Sequence, residues 1–140
     1  MREAAIGAAA TFALHWLWEN AQAFLFKGYA GFAQHLWMCT VGTFGDLAIV
    51  AIMYGVVALL WRDYRWHRHG YVRQYFAAIV VGVGIAVLIE YRALATGRWA
   101  YDGMPLVPFT GIGLLPILQM AILPPCVFRL MAAVARGTVR

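Results

Sequence analysis

Charged residues are scarce in this sequence, at 12% of 140 positions against roughly a quarter in typical soluble domains. There are six acids and one lysine, Lys27; arginine supplies the rest of the positive charge. Low-complexity stretches and convincing repeats are also missing, which argues against a disordered chain or a solenoid. With only two cysteines, Cys39 and Cys126, at most one disulfide could form. Their expected depths differ by roughly 20 Å at 1.5 Å per residue, beyond the reach of an S–S bond. Both are expected to be free thiols.

What is abundant is apolar surface. Hydrophobic residues make up 64% of the chain, more than a single small soluble core can hide, whereas lipid is itself a solvent for the excess. Four apolar segments stand out, at about 4–26, 34–61, 74–96 and 107–133. Each has at least the roughly 20 residues needed to cross about 30 Å of hydrocarbon. The expectation is one all-α membrane domain over residues 1–140, a four-transmembrane-helix bundle. The first segment has an A-x-A triplet at Ala21-Gln22-Ala23, yet Glu3, His15, Glu19 and Asn20 are out of place in a cleaved signal, so it reads as a retained helix.

Arginine and lysine set the orientation. One side holds Arg2, Arg62, Arg65, Arg68, Arg73, Arg129, Arg136 and Arg140; the other holds Lys27, Arg92 and Arg98. That asymmetry predicts both termini in the cytoplasm of a bacterial inner membrane. The net charge of +5 does not point to nucleic acid, because the basic residues flank apolar segments instead of forming a soluble face. Expected partners are membrane lipids and an apolar small molecule, with homo-oligomerisation left open. The hairpin from Arg62 to His69 suits lipid head groups better than a dedicated anion site. The connection from Gly97 to Pro105 reads first as an interfacial aromatic belt, with a lid over the outer mouth as the alternative. Pro116 and the Pro124-Pro125 pair predict a bent fourth helix.

Polar residues inside the segments fall on stripes. Thr11, His15, Glu19 and Gln22 share a face of the first helix, with Trp18 beside them. His35, Cys39, Thr43 and Asp46 do so on the second. Gly82, Ala86, Glu90 and Ala93 give the third helix a small-residue face ending in an acid, and Gly111 and Gln119 are placed on one side of the fourth. Counting at 1.5 Å per residue puts Glu19, Cys39 and Glu90 roughly 7–11 Å from the outer boundary, and His15, Asp46 and Gln119 roughly 16–18 Å deep. His35 falls at the boundary itself.

Ionisable groups in a bilayer are by default a functional-site hypothesis, and four readings stay open. In the first, Glu19 and Glu90 exchange protons with an isoprenoid-like ligand, His15 and Asp46 acting as an orienting dyad. Gln22, Cys39, Trp18, Trp99, Tyr101 and Gln119 would line that pocket. In the second, His15, Glu19, His35 and Cys39 bind or pass a metal ion. No Glu-x-x-His pair suggests a di-iron centre, and the roughly 15 Å depth difference between His15 and His35 argues against haem. No cofactor is named by the sequence. In the third, the chain is an accessory subunit or channel; in the fourth, the polar residues only hold helices together.

Two resemblances add to this. The run from Glu90 to Tyr101, Gly111 to Gln119, Trp18-Glu19-Asn20 and Gly45-Asp46 together resemble a group of small uncharacterised bacterial membrane proteins, a likeness that implies no activity. Separately, His15-Trp16-Leu17-Trp18-Glu19 is similar to the His-x-x-x-Glu on the first bundle helix of the emopamil-binding sterol isomerase family. That likeness covers one helix and the helix count. It implies double-bond isomerisation, with His15 and Glu19 catalytic and Glu90 the partner acid.

Overall fold

The computed structural model describes residues 2–137; Arg140, counted above on the cytoplasmic side, lies outside them. Those residues form four long helices and no β-strand: α1 (Arg2–Gln22), α2 (Phe32–Trp61), α3 (Val72–Ala95) and α4 (Leu114–Gly137). By length and composition α2, α3 and α4 are each able to cross a membrane. They run up, down, up and down, each packed on the next, and α4 closes the ring against α1. One end of the bundle carries the start of α1, the α2–α3 hairpin and the end of α4. The other carries the α1–α2 and α3–α4 connections.

The outward faces are apolar. Trp37, Phe44, Leu59, Phe76, Val80 and Leu88 are all exposed, an arrangement that water penalises and lipid does not. The inward face of α3 is Gln74, Ala78, Gly82, Ala86, Glu90 and Ala93, which is the expected small-residue stripe extended by two turns. At the hairpin end Trp66 plugs the bundle. It is fully buried, packs edge-on against Phe128 at 5.1 Å between ring centroids, and donates its indole N–H to the Tyr54 carbonyl at 3.3 Å.

Two helices end in the same way. After α2, Arg62 turns left-handed at φ 51° while the Asp63 N–H reaches back to the Ala58 carbonyl at 3.0 Å. After α3, Gly97 does the same at φ 65° and the Arg98 N–H reaches Ala93 at 2.9 Å. This is the Schellman stop, which glycine adopts without strain. Asp63 then holds the Arg65 N–H at 2.8 Å and sets the hairpin turn.

The expected segment limits hold to within two residues for α2 and α3 and fail at three places, the end of α4 at Gly137 instead of 133 being one. The α-helical part of α1 ends at Gln22 and passes through a 3-10 turn at Ala23–Leu25 into an extended Phe26. The fourth helix begins at Leu114, not at 107. Between them, Pro105 and Pro108 interrupt the helix and Phe109 and Gly111 are left-handed, while Leu114 N–H bonds the Pro105 carbonyl at 2.7 Å. Gly111 therefore shares no helix face with Gln119. Pro116 sits in the first turn of α4, where no N–H partner is required, so only Pro124 and Pro125 lie inside the helix.

Pro124 has no N–H for the Met120 carbonyl, and that carbonyl faces α3 at Gly82. A Cβ on Gly82 would stand 3.4 Å from it and 2.6 Å from the Met53 side chain, which is itself fully buried. Gly82→Val should cost about 1–3 kcal/mol through overpacking, read as a lowered midpoint of thermal unfolding in detergent. Gly84→Ala, with open space around it, should leave that midpoint unchanged or raise it slightly.

Candidate functional site

One side-chain amide organises the polar interior. Gln119 of α4 is buried, and its Nε2 donates to Asp46 Oδ2 of α2 at 2.8 Å and lies 3.0 Å from His15 Nδ1 of α1. Its Oε1 accepts from Gln22 Nε2 at 3.3 Å, and the same Gln22 nitrogen donates to Glu19 Oε1 at 3.1 Å. His15 Nδ1 stands 3.3 Å from Asp46 Oδ2. Five of the residues singled out from the sequence therefore form one connected network across three helices. The network thus holds two carboxylates, Asp46 and Glu19, joined through Gln119 and Gln22.

His15 leaves a proton unaccounted for. Its ring is fully buried, and its Nε2 has no hydrogen-bond partner. If Nδ1 accepts from Gln119, Nε2 carries an N–H with no acceptor. If Nδ1–H is turned to Asp46, Nε2 is a bare lone pair. Either way a buried polar atom lacks a partner, an exception that costs about 1–3 kcal/mol. The indole N–H of Trp18 is likewise buried and unpartnered.

Below this network runs an apolar trough. A cavity of about 330 Å³ lies between α1, α2 and α4, with Ala8, Thr11, Val50, Ala51, Val127 and Phe128 among its walls. Thr11, one helix turn from His15, lies in the wall of the trough. Met131 packs into the room left by Gly7, and among the lining side chains only Thr11 and Tyr54 bring polar atoms to the trough.

The second part of the site is Glu90. It is buried at the end of the α3 stripe and takes hydrogen bonds from the Tyr101 hydroxyl and from Trp99 Nε1, the latter at 3.4 Å. Both donors come from the α3–α4 connection, which folds back as a lid. Its backbone pairs with the exit from α1, Lys27 N–H to the Ala100 carbonyl at 2.9 Å and Asp102 N–H to the Leu25 carbonyl at 2.7 Å. Tyr101 Oη also accepts from the Gly113 N–H at 2.9 Å. Burial and the Glu90 carboxylate together hold the Tyr101 phenol above its ordinary value.

The remaining candidates are placed apart. Cys39 is buried against α1, its Sγ 3.8 Å from the Glu19 carbonyl rather than the carboxylate, while Cys126 is an exposed thiol. His35 faces the α1–α2 connection, where its Nδ1 accepts from the Ala30 N–H at 3.4 Å and its ring packs on Tyr29. Among the described residues no three His, Cys, Asp or Glu side chains assemble into a set able to hold a metal ion.

Sequence reasoning missed a polar cluster at the other end. His67 bridges Glu3 at 3.1 Å and Tyr54 Oη at 2.9 Å, and Arg68 pairs with the same Glu3. Burial pushes the His67 imidazole below its usual value in spite of Glu3. Glu3 and His67 are 64 residues apart, and no helical spacing connects them. No family model matches the chain, and no curated protein or solved structure does so either.

The lid contacts can be tested directly. Tyr101→Phe removes the hydroxyl that joins Glu90 to Gly113, and should speed hydrogen exchange at the Lys27, Asp102 and Gly113 amides. The expected loss is about 0.5–1.5 kcal/mol, that of an ordinary intramolecular hydrogen bond. Because the folded phenol titrates above its unfolded value of about 10, its stabilisation is fully present below that pH and is lost as pH rises further. Alkaline loosening of the lid should therefore be visible in wild type and weaker in Tyr101→Phe.

Proposed function

We propose that the chain crosses a bacterial inner membrane four times with both termini in the cytoplasm, and that its bundle binds an apolar, lipid- or isoprenoid-like molecule. The hairpin end carries Arg2, Arg62, Arg65, Arg68, Arg73, Arg129 and Arg136, and this supports the orientation. Although α1 is not as apolar as the other helices, its 21 residues extend roughly 31 Å, enough for the hydrocarbon. Its polar residues turn inward, with Thr11, His15 and Gln22 buried.

The observation that carries the binding reading is the trough that ends one turn below an imidazole with an unpartnered nitrogen. An apolar chain lying along α1 and α2 would fill the trough and bring its functional end to His15, Glu19 and Asp46. Such a ligand supplies what the site lacks, a hydrogen-bond partner for His15 Nε2 in a region that water reaches poorly. Proton exchange then falls to Glu19, linked through Gln22 and Gln119 to the His15–Asp46 pair, while Glu90 under its lid provides a second acid. The sterol-isomerase likeness of the His15-to-Glu19 run agrees with chemistry of this type: a proton added at one carbon of a double bond and removed from another.

Orientation is checked with fusions. A reporter after Arg140 should be cytoplasmic and one inserted between Asp102 and Pro105 periplasmic; the reverse pattern at either site overturns the topology.

Binding is checked with a fluorescent polyene lipid added to protein in mild detergent. Ala51→Phe, which fills the trough from an exposed position, should weaken binding by about tenfold or more, equivalent to about 1.4 kcal/mol. Ala133→Phe, exposed on α4, should leave it unchanged. Glu19→Gln keeps the side-chain shape, and interhelical hydrogen bonds in membranes average only about 0.6 kcal/mol. The variant should fold normally and lose any turnover by roughly a hundredfold. A folded Glu19→Gln protein with wild-type ligand content and phenotype would assign the network to helix adhesion alone.

A further inference from the structure

At the hairpin end, away from the polar network, a second cavity of about 230 Å³ is lined by His67, Gly70, Tyr75, Arg129, Ala132 and Arg136. Three of these residues come from α4 at positions i, i+3 and i+7, one face of the helix. The small side chain of Ala132 leaves room between two guanidinium groups. Arg129 stacks over the Tyr75 ring with its Cζ 5.9 Å from the ring centroid, which orients the guanidinium. Gly70 is left-handed at φ 71° with open space where a Cβ would stand, so the chain passes the cavity without closing it.

The charge in this cavity is not balanced. Among the described residues two acidic side chains sit at this end, and both are engaged elsewhere: Glu3 with His67 and Arg68, Asp63 with the Arg65 N–H and His69. Among the described residues neither Arg129 nor Arg136 has a carboxylate partner. His67 adds no acceptor to neutralise them, since both of its ring nitrogens are occupied by Glu3 and Tyr54. Two cations held on one helix face with no counter-charge will recruit one from outside, and guanidinium groups match the oxygens of a phosphate. At about 30 Å³ per water the cavity has room for a phosphate and the ester group that carries it.

We infer that this cavity is a binding site for a phosphate group, gripped between Arg129 and Arg136 with Tyr75 and the hairpin backbone as its walls. The phosphate comes either from an anionic phospholipid head group at the membrane surface or from a soluble phosphorylated compound. The inference does not rest on the reading of the polar network.

Two probes separate the sources. Phosphatidylglycerol is added to detergent-solubilised protein, with phosphatidylcholine as the control, and bound lipid is counted by native mass spectrometry. Inorganic phosphate is titrated separately at constant ionic strength, with chloride as the control, and read by thermal shift. Wild type should retain phosphatidylglycerol over phosphatidylcholine if the ligand is a lipid, or be stabilised by phosphate if it is soluble; either result supports the site. Arg129→Gln and Arg136→Gln should each weaken the responding probe by about tenfold or more. Arg65→Gln, on the same hairpin but outside the cavity, should not. If either glutamine variant fails to fold, Arg129→Lys and Arg136→Lys keep the charge while losing the two-pronged grip, and should still weaken binding. No response to either probe, an unaltered response in the Arg129 and Arg136 variants, or an equal loss in Arg65→Gln would overturn the inference.

Discussion

A buried side-chain amide must find partners for both its oxygen and its nitrogen, and for Gln119 of α4 those partners sit on two other helices. Gln119 takes a hydrogen bond from Gln22 on α1 and gives one to Asp46 on α2, which fixes the rotation of all three about their axes. Turning any one of them by a residue would strand a carboxylate or an amide in apolar surroundings, at a cost well above that of an ordinary packing error. The small-residue face of α3 can then close on the fourth side, because between Gln74 and Glu90 it presents only Ala78, Gly82 and Ala86. Placement of the acids, depth of the trough and closure of the ring all follow from that shared amide.

Much of this was legible in the sequence because two periodic signals agree. Apolar length marks the helices, and polar residues spaced three or four apart mark which face turns inward. Depth counting brought His15, Asp46 and Gln119 together, and the structure joins them within 2.8–3.3 Å; it put Glu19 in a separate outer tier, and in the fold Gln22 links that acid to Gln119. What the pattern hid is equally physical. Val107 to Gly113 is apolar enough to pass for helix, but Pro108 and left-handed Phe109 and Gly111 make it a loop. Hydropathy registers transfer to lipid and is blind to backbone angles. His35 kept the spacing of its stripe, yet its ring is taken up by Tyr29 and the Ala30 N–H of the α1–α2 connection, so periodicity overstated its reach.

Tyr101 shows another limit. Its amphipathic neighbours read as an interfacial belt, since composition alone places aromatics at a membrane surface. Only the two backbone bonds to the α1 exit, Lys27 to Ala100 and Asp102 to Leu25, turn the ring inward over Glu90. The same blindness hid the Glu3–His67–Arg68 contact, where charge proximity is created by the fold rather than by spacing. Arginine counts at that end give the sign of the charge, but they do not tell which side chains are paired and which are left over.

The way the lid is fastened has a mechanical consequence. Its backbone is stitched to residues 25 and 27, the stretch that continues directly from the helical turn bearing Glu19 and Gln22. Raising the lid therefore pulls on the very strand of chain that positions the lower acid, and the same movement strips Glu90 of its two donors. Any displacement of this connection would thus be carried by the main chain to the turn that bears Glu19, so that the surroundings of the two carboxylates are mechanically tied, as two jaws on a single lever.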